Sequence, residues 1–249
     1  MIEIRGVAKR FGENVVLDGV TLDVHQGETL ALLGPSGTGK SVLLKTIIGL
    51  IRPDRGEVIV DGQNVANLKR KELSQLRSRM GYVFQNGALF DSMSVFENIR
   101  LGITDEDKYG DRDYCQARVA ECLHMVNLDP SVGLKYPSEL SGGMRKRVGI
   151  ARAIAGDPKY LLYDEPTSGL DPVNSDVIDE LVVSLRAHLG VTSVVVTHDV
   201  RGSVRVADRI ALLTEGRIRA VGSPEEILKS KDEKVREFLE RDFAMTGSA

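Results

Sequence analysis

The chain has 249 residues and is 42% hydrophobic, which is enough to bury a substantial core in one domain. Its net charge of −3 argues against a protein that lives on nucleic acid, since such binding depends on neutralising phosphate charge. The longest apolar stretches, such as residues 42–51 with Lys45 among them, fall well short of the ~18 residues that a membrane span needs. Two cysteines, Cys115 and Cys122, are too few for a disulfide framework and indicate a reducing cytoplasm.

The first elements are predicted around a glycine-rich loop. Residues 2–7 read as an opening strand, and they lack the charged-then-apolar order of a signal peptide. Further strands are predicted at residues 20–24 and 57–61. Between these two, the apolar run TLALL at residues 29–33 predicts a buried strand, and residues 41–50 predict the opening of a helix. Strand, glycine-rich loop and helix in this order are the context that a phosphate-binding loop requires.

The loop itself, GPSGTGKS, fills every fixed position of the P-loop pattern. Its glycines allow the backbone to approach a phosphate, and successive N–H groups then form an anion-binding nest. Lys40 is predicted to reach the β- and γ-phosphates of a nucleoside triphosphate, and Ser41 to ligate Mg²⁺. An ordinary glycine-rich turn is the alternative, and it leaves the complete match unexplained. The nucleotide-binding candidates here are Gly34, Pro35, Ser36, Gly37, Thr38, Gly39, Lys40 and Ser41.

A strand is predicted at residues 80–84, just before Gln85, and a helical region follows as far as about residue 158. The predicted helices of this region lie at residues 95–101, 114–126 and 142–155.

The motif LSGGM at residues 140–144 opens the last of these helices. Ser141 is a good N-cap, and the apolar residues that follow fall on one helical face. The Ser141 hydroxyl and the N–H groups of Gly142 and Gly143 would present a positive helix end to an anion. The alternative is a plain helix cap without a ligand. The basic run at residues 145–147 is predicted to be the solvated face of this helix, and the alternative is a contact with an anionic group.

A second buried strand, predicted at residues 160–163, ends in two adjacent carboxylates, Asp164 and Glu165. Two such charges would repel each other unless a cation lies there or one of them is protonated. Mg²⁺ supplies that cation, with Asp164 holding it directly or through water and Glu165 orienting or deprotonating the attacking water. A solvated acidic turn is the alternative, and the P-loop upstream makes it the weaker interpretation.

Two features complete the C-terminal part. A strand predicted at residues 194–196 ends just before His198. The charged tail from Ser223 onward contains apolar residues that predict one or two amphipathic helices, packed locally or on a partner. Residues 245–249 are predicted to be loose.

Taken together, these motifs resemble the ABC-type ATPases from residue 2 to about residue 224, and LSGGM matches the family signature. The resemblance implies an α/β fold of the P-loop NTPase (RecA-like) class, a parallel sheet flanked by helices. It adds an antiparallel β part at the N-terminus and an inserted helical subdomain. The implied organisation is one ABC ATPase domain at 1–249, with a nucleotide-binding core at 1–84 and 158–249 and the helical subdomain at 85–157.

The resemblance also implies roles for single residues. Gln85 matches the Q-loop residue that contacts metal and water, and His198 matches the switch histidine that bonds the γ-phosphate. Residues 168–171 match the D-loop, in which Asp171 reaches across a dimer, and Phe11 matches the aromatic that stacks on adenine. Alone, each has a plainer alternative: a solvated glutamine, a surface histidine, a core phenylalanine. The predicted catalytic residues are Glu165, His198, Gln85 and Lys40, and the predicted metal ligands are Ser41, Gln85 and Asp164.

In this family the signature of one chain closes over the γ-phosphate held by a second chain, head to tail. The resemblance therefore implies ATP and Mg²⁺ as cofactors and a second copy of the chain as a partner. One position departs from the pattern, because the fifth signature residue is usually glutamine and here is Met144. A thioether cannot replace the donors and acceptor of an amide. The Ser141 hydroxyl and the glycine N–H groups remain, so we expect function to survive.

Two stretches, LSGGMRKR at residues 140–147 and FQNGALFDSMSVFENI at residues 84–99, resemble the ATPases of Mla-type phospholipid transporters. That subtype implies a subunit on the cytoplasmic face of the inner membrane that energises lipid transport by a separate multi-span permease. A lipid-binding MCE-domain protein and a small cytoplasmic accessory protein are further implied partners. The alternatives are ATPases for polar amino acid import or lipoprotein release, and a soluble ABC ATPase acting on nucleic acid. The last group carries two cassettes or a long coiled coil, and this sequence has neither.

Overall fold

Strands and helices are interspersed along the chain, and several strands pair in parallel, which is the pattern of an α/β protein. The computed structural model describes residues 1–246, with side chains through residue 240. In chain order the strands are β1 (Ile2–Phe11), β2 (Asn14–Val24), β3 (Thr29–Leu33), β4 (Arg55–Val60), β5 (Gln63–Asn64), β6 (Met80–Val83), β7 (Tyr160–Asp164), β8 (Thr192–Thr197), β9 (Arg209–Thr214) and β10 (Arg217–Gly222). The α-helices are α1 (Lys40–Ile47), α2 (Arg70–Ser78), α3 (Val95–Arg100), α4 (Glu106–Gly110), α5 (Arg112–Met125), α6 (Gly142–Ile154), α7 (Pro172–Leu189), α8 (Val200–Val206), α9 (Pro224–Leu228) and α10 (Glu233–Thr246).

The chain divides into two compact units. The first comprises Met1–Ser74 and Thr192–Ala249, and the second comprises Gln75–Val191. The P-loop therefore belongs to the first unit, and the signature motif and the acidic pair belong to the second. The helical subdomain predicted at residues 85–157 falls inside the second unit, and its exact bounds stay a prediction.

Two sheets build the first unit. β2, β1, β4 and β5 form an antiparallel sheet in that order, in which Ile4 pairs with Leu22 on one side and Val58 on the other. The predicted antiparallel part is confirmed, although β1 and β2 are longer than expected and meet in a hairpin between Phe11 and Asn14. In the other sheet, β3 lies between β8 and β9 in parallel register, and β10 pairs antiparallel with β9.

The central strand β3 has the bounds that its apolar run predicts, and all five of its residues are buried. Leu33, its last residue, pairs with Thr197 at the end of β8 and with Leu212 in β9. The carboxyl ends of these parallel strands thus meet at one edge of the sheet, where ligands of α/β proteins bind. Gly34 and His198 are the first residues beyond that edge.

The charged tail packs locally on the first unit. Ile227 of α9 and Val235 and Leu239 of α10 are buried in one cluster with residues of β3, β9 and α8. This outcome confirms the local alternative for the amphipathic tail. α10 continues through Thr246, so the segment predicted to be loose is helical for its first two residues, and residues 247–249 lie outside the described part.

The second unit combines two parallel strands with helices. β6 and β7 pair in register, with Val83 opposite Tyr163. Three helices predicted from the sequence are confirmed as α3, α5 and α6, each within two residues of its expected ends. Side-chain caps explain where two of them begin, because Ser94 forms a capping box with Glu97 and Ser141 caps α6.

One prediction for α6 is wrong. The basic run at residues 145–147 is not simply a solvated face, since Lys146 is 7% exposed and only Arg145 is fully exposed. The Lys146 side chain turns inward because backbone carbonyls beyond β7 accept its hydrogen bonds. A buried cation is stable there only because these carbonyls replace water.

Candidate functional site

The P-loop of the first unit begins where β3 ends and leads into the first turn of α1. Lys40 is buried, and its Nζ donates to the carbonyl oxygens of Gly34 at 2.7 Å and Pro35 at 2.9 Å. Thr38 Oγ1 donates to the same Pro35 carbonyl at 2.9 Å. These bonds hold the ammonium group of Lys40 against the backbone of the loop.

Two glycines of this loop are required by their surroundings. A Cβ on Gly34 would lie 2.2 Å from the carbonyl oxygen of Leu213 in β9. A Cβ on Gly39 would lie 2.9 Å from the Leu17 side chain and from the Val16 carbonyl in β2. Gly39 also has a φ of 99°, in the region that favours glycine. The loop is therefore packed tightly between two strands of its own unit.

Phe11 and His198 are the other predicted nucleotide contacts of the first unit. Phe11 ends β1 with 49% of its surface exposed, and Lys9 Nζ lies 5.5 Å from the ring centroid. The core alternative for Phe11 is thus wrong, and an exposed ring is free to stack on a base. His198 is exposed, and it directly follows Thr197, the residue that pairs with Leu33.

The acidic pair lies at the end of β7 in the second unit. Asp164 is 7% exposed and Glu165 is 9% exposed. Tyr82 Oη donates to Asp164 Oδ2 at 2.8 Å, and burial together with the nearby carboxylate charge raises the pKa of Tyr82 far above its ordinary value. Glu165 has a φ of 51°, which a residue with a Cβ seldom adopts. Backbone strain of this kind concentrates at functional sites.

Gln85 lies at the same edge of the β6–β7 pair. Val83 is opposite Tyr163, so Gln85 and Glu165 each lie two residues beyond a paired position. Gln85 Nε2 donates to Ser168 Oγ at 3.3 Å, which joins the predicted Q-loop to the predicted D-loop.

The D-loop leads into α7 beside the signature motif. Asp171 caps α7 by accepting from the Asn174 N–H at 3.0 Å, and it also accepts from Asn174 Nδ2 at 2.6 Å. These bonds to Asn174 lower the pKa of Asp171. A Cβ on Gly143 would lie 2.7 Å from Asn174 Oδ1, so glycine in the signature lets α7 approach. Ser141 caps α6 by accepting from the Met144 N–H at 3.2 Å, as predicted.

Comparison with known proteins gives this arrangement its family. Residues 17–168 match the family model described as ABC transporter, which is more than half of the chain. The chain belongs to the ABC transporter family. It is 41% identical over 238 residues to the probable ribonucleotide transport ATP-binding protein mkl of Mycobacterium leprae, covering 96% of this chain and 68% of that protein. It is 39% identical over 239 residues to the intermembrane phospholipid transport system ATP-binding protein MlaF of Haemophilus influenzae, covering 96% of this chain and 90% of that protein.

A solved structure agrees. The dimeric post-hydrolysis state of the ATP-binding cassette MJ0796 bound to ADP and Pi has a TM-score of 0.81 at 34% identity, covering 90% of this chain and 99% of that chain. The predicted fold class is confirmed, and the chain is an ATP-binding ABC transporter ATPase. It spans 66% to 68% of the length of the mycobacterial relatives.

The predicted site residues of this ABC transporter ATPase divide between its two units. The first unit contains Phe11, the loop from Gly34 to Ser41, and His198. The second unit contains Gln85, Ser141, Gly142, Gly143, Asp164, Glu165 and Asp171. Within each unit the residues gather near one sheet edge or one helix start, and their catalytic roles stay predictions.

Sequence reasoning missed a lysine that touches the acidic turn. Lys146 Nζ donates to the carbonyl oxygens of Pro166 at 2.8 Å and of Ser168. A signal for it existed, because Gly143, Lys146 and Ile150 share one buried stripe of α6 at helical spacing. Its charge alone predicts a solvated side chain, which is why the sequence analysis does not place it near the turn.

An arginine on the same helix was also missed. Arg152 donates to the carbonyl oxygens of Gly87 and Ala88, each at 2.7 Å, and its guanidinium lies 6.0 Å from the centroid of the Phe84 ring. A Cβ on Gly149 would lie 3.0 Å from the Cα of Gly87, so two glycines let the backbones touch. The segment after Gln85 is therefore fastened to the signature helix.

The candidate metal ligands have the chemistry that Mg²⁺ prefers. Ser41, Gln85 and Asp164 offer hydroxyl, amide and carboxylate oxygens, which are hard donors. In the described part of the chain, no three His, Cys, Asp or Glu side chains are grouped to hold a metal by themselves. A single carboxylate fits a metal that shares its coordination with substrate phosphates.

The two cysteines, Cys115 and Cys122, form no disulfide, and both side chains are buried.

Proposed function

We propose that this ATPase energises the transport of phospholipid by a separate multi-span permease. The MlaF relative supports this cargo, because the match covers nearly the full length of both proteins. The motifs at residues 84–99 and 140–147 point the same way. The match to the relative named for ribonucleotide transport covers 68% of that protein, and this cargo is the alternative that experiment must exclude. No helix in residues 1–246 has both the length and the hydropathy of a membrane span.

In this proposal each site residue has one chemical role. Lys40 balances charge on the β- and γ-phosphates, and His198 bonds the γ-phosphate. Glu165 orients or deprotonates the attacking water. Its side chain is buried and its backbone belongs to a strained turn, which together fix the position of the carboxylate. Phe11 stacks on the adenine ring. Ser41, Gln85 and Asp164 would hold Mg²⁺, which when bound would supply positive charge to the phosphate oxygens.

The proposed partner for hydrolysis is a second copy of the chain. Each chain has one P-loop and one signature motif, so a head-to-tail pair would contain two composite sites. Ser141 and the N–H groups of Gly142 and Gly143 would then meet the γ-phosphate on the other copy, where a helix N-terminus favours an anion. Asp171 would contact the other copy as well.

The observation that carries the transport proposal is an apolar loop at residues 89–93, shortly after Gln85, which we call the docking loop. Phe90 has 54% of its surface exposed, and Leu89 and Met93 beside it are partly buried. An exposed phenylalanine in such a group is typical of a protein interface. We propose that a short cytoplasmic helix of the permease docks here.

One buried side chain gives this docking loop its shape. Asn98 accepts from the Phe90 N–H at 2.8 Å and donates to the carbonyl oxygens of Phe90 at 3.1 Å, Met93 at 3.1 Å and Ser94 at 3.0 Å. With every polar atom of its amide in use, Asn98 holds the loop rigidly. Arg152 ties the residues just before the loop to α6. A displacement of Gln85 would therefore be passed to a docked permease and to the signature helix.

The test is a charge placed in the docking loop. Phe90→Asp should release the chain from membranes that contain the permease, while ATP binding to the purified chain persists. Val183→Asp is the matched control, because Val183 is 45% exposed on α7, outside the loop. If Phe90→Asp stays on the membrane as firmly as Val183→Asp, the docking proposal fails.

The cargo is tested on the complex purified from membranes. Bound phospholipid and a lipid-stimulated ATPase would support the proposal. Recovery of an MCE-domain protein and a small cytoplasmic accessory protein would support the remaining proposed partners and a place on the cytoplasmic face of the inner membrane. A complex that responds to amino acids, nucleotides or lipoproteins and not to phospholipid would refute the cargo.

A further inference from the structure

We propose that Lys146 is a positioning residue, which holds the turn at residues 165–168 so that Glu165 keeps its aim at the reacting water. The inference rests on the role proposed for Glu165 and adds a residue that acts through it. The hydrogen bonds of Lys146 go to backbone carbonyls of the turn.

The geometry of the turn shows why it needs an external support. Glu165 has a φ of 51°, which is unfavourable for a residue with a Cβ. The turn has its own bonds, from the Ser168 N–H to the Glu165 carbonyl at 3.2 Å and from the Leu170 N–H to the Thr167 carbonyl at 3.1 Å. Bonds of this length are near the long end of the normal range. Strained backbone persists only where surrounding groups over-determine it.

Lys146 provides this external support for the turn. Its Nζ donates to the Pro166 carbonyl at 2.8 Å and to the Ser168 carbonyl, so one ammonium group fixes two peptide planes of the turn. Charge-assisted bonds are about twice as strong as neutral ones. Burial lowers the pKa of Lys146, and the charge of Glu165 opposes that shift. The Glu165 carboxylate is thus the charge that favours a buried ammonium at this place.

The position of Lys146 links two motifs. It lies on α6, five residues after Ser141, the cap of the signature helix. A change in the position of this helix would therefore reach the turn that carries Glu165. Gln85, bonded to Ser168 Oγ, touches the same turn from the side of β6.

A plainer role for Lys146 is general support of α6, and the chain offers a matched control for it. Arg118 is also a buried cation, and it donates to the carbonyl oxygens of Ile154 and Ala155 at the other end of α6. It contributes to the stability of the helix but makes no bond to the turn. Substitution of either cation removes two bonds to backbone carbonyls. Only the substitution of Lys146 removes bonds to the turn that carries Glu165.

The experiment compares Lys146→Met, Lys146→Arg and Arg118→Met in the full chain, below the Tm of each variant. Steady-state hydrolysis gives kcat and KM for ATP, and amide hydrogen exchange follows Ser168 and Leu170. We expect Lys146→Met to lower kcat at least tenfold, to leave KM within about threefold, and to speed exchange in the turn. Lys146→Arg, which keeps charged donors, should recover part of kcat. Arg118→Met should lower Tm while kcat stays at the wild-type value.

Two results would overturn the inference. One is a Lys146→Met chain with wild-type kcat or unchanged exchange in the turn. The other is a Lys146→Met chain that loses protection along all of α6, the result expected of Arg118→Met, with no separate effect on the turn. Should Lys146→Met not fold, Lys146→Gln retains an uncharged NH₂ donor and must show a smaller loss of kcat, with KM again nearly unchanged. Glu165→Gln run in parallel separates the two proposals: if it hydrolyses ATP normally, the role of Glu165 fails, whereas exchange still reports on the turn.

Discussion

The P-loop and the acidic turn hold their charged residues in opposite ways. Lys40 bonds to carbonyls five and six residues away in its own loop, so the P-loop organises itself from a short stretch of sequence. Glu165 sits on a strained turn whose carbonyls are held by Lys146, about one and a half turns into another helix. In the proposed function, ATP binding therefore relies on a lysine held by its own loop, and hydrolysis relies on a glutamate whose turn is held by another helix. Only substitutions within the P-loop should disturb Lys40. Substitutions on α6, far away in sequence, should disturb the turn that carries Glu165.

The largest expected effect comes from the turn. Glu165→Gln keeps the shape of the side chain and removes its ability to accept a proton, so hydrolysis should fall at least about a hundredfold. ATP binding should remain near wild type, because the carboxylate is not a phosphate ligand in this account. The ATP hydrolysis rate and the ATP affinity of this variant, both measured in the complex with the permease, check the prediction. Wild-type turnover by this variant would remove Glu165 from its assigned role.

The loop gives the next effect, and it should not separate binding from rate. Lys40→Ala removes a buried donor aimed at phosphate, which is worth roughly 3 kcal/mol or about a hundredfold. ATP affinity and hydrolysis should fall together. Lys45→Ala, on the same helix α1, is the control and should change neither by much. A Lys40→Ala chain that binds ATP as tightly as the wild type would show that the loop does not use its lysine as proposed.

A smaller effect is expected at Tyr82. Tyr82→Phe keeps the ring and removes the hydroxyl that donates to Asp164, which leaves a buried carboxylate with one donor fewer. We expect a loss of about 2 kcal/mol in the free energy of unfolding, typical of hydrogen bonds to charged groups. Urea unfolding at pH 7 measures it. A variant as stable as the wild type would mean that Asp164 does not depend on this bond.

The smallest effect is a pH dependence away from the site. Cys122 is fully buried, and burial raises the pKa of its thiol from 9.0 to about 12. Below pH 9 the thiol is neutral in both states. Between pH 9 and 12 it ionises only when unfolded, so its contribution to stability is lost by about 1.4 kcal/mol per pH unit. The stability gap between wild type and Cys122→Ala should therefore narrow from pH 8 to pH 10, and a constant gap would contradict the raised pKa.

What the sequence predicts well is local. The bounds of β3, the Ser141 cap of α6 and the P-loop all follow from residues within a few positions of one another. The wrong prediction concerned Lys146, whose partners lie 20 and 22 residues away. Arg152 was missed for the same reason, because its partners are 64 and 65 residues away. A charged side chain looks solvated in a sequence until the fold brings carbonyls to it.

The family resemblance added what local pattern could not. Gln85, His198 and Phe11 are single residues without a distinctive neighbourhood, and only their order along the chain marks them. Their positions agree with that reading in part: Phe11 is exposed, and His198 starts from the edge where β3 ends. Asp171 is bonded to Asn174 of its own chain, so its contact with a second copy stays a proposal.

In the proposed dimer, the P-loop of one copy and the signature of another complete each other. Sedimentation velocity of Glu165→Gln, with and without saturating ATP and Mg²⁺, tests it most directly, since blocked hydrolysis should trap the paired state. We expect a monomer without ATP, a dimer with it, and loss of the dimer when Ser141→Arg is added. A Glu165→Gln chain that binds ATP and yet stays monomeric, also when bound to its permease, would contradict the claim.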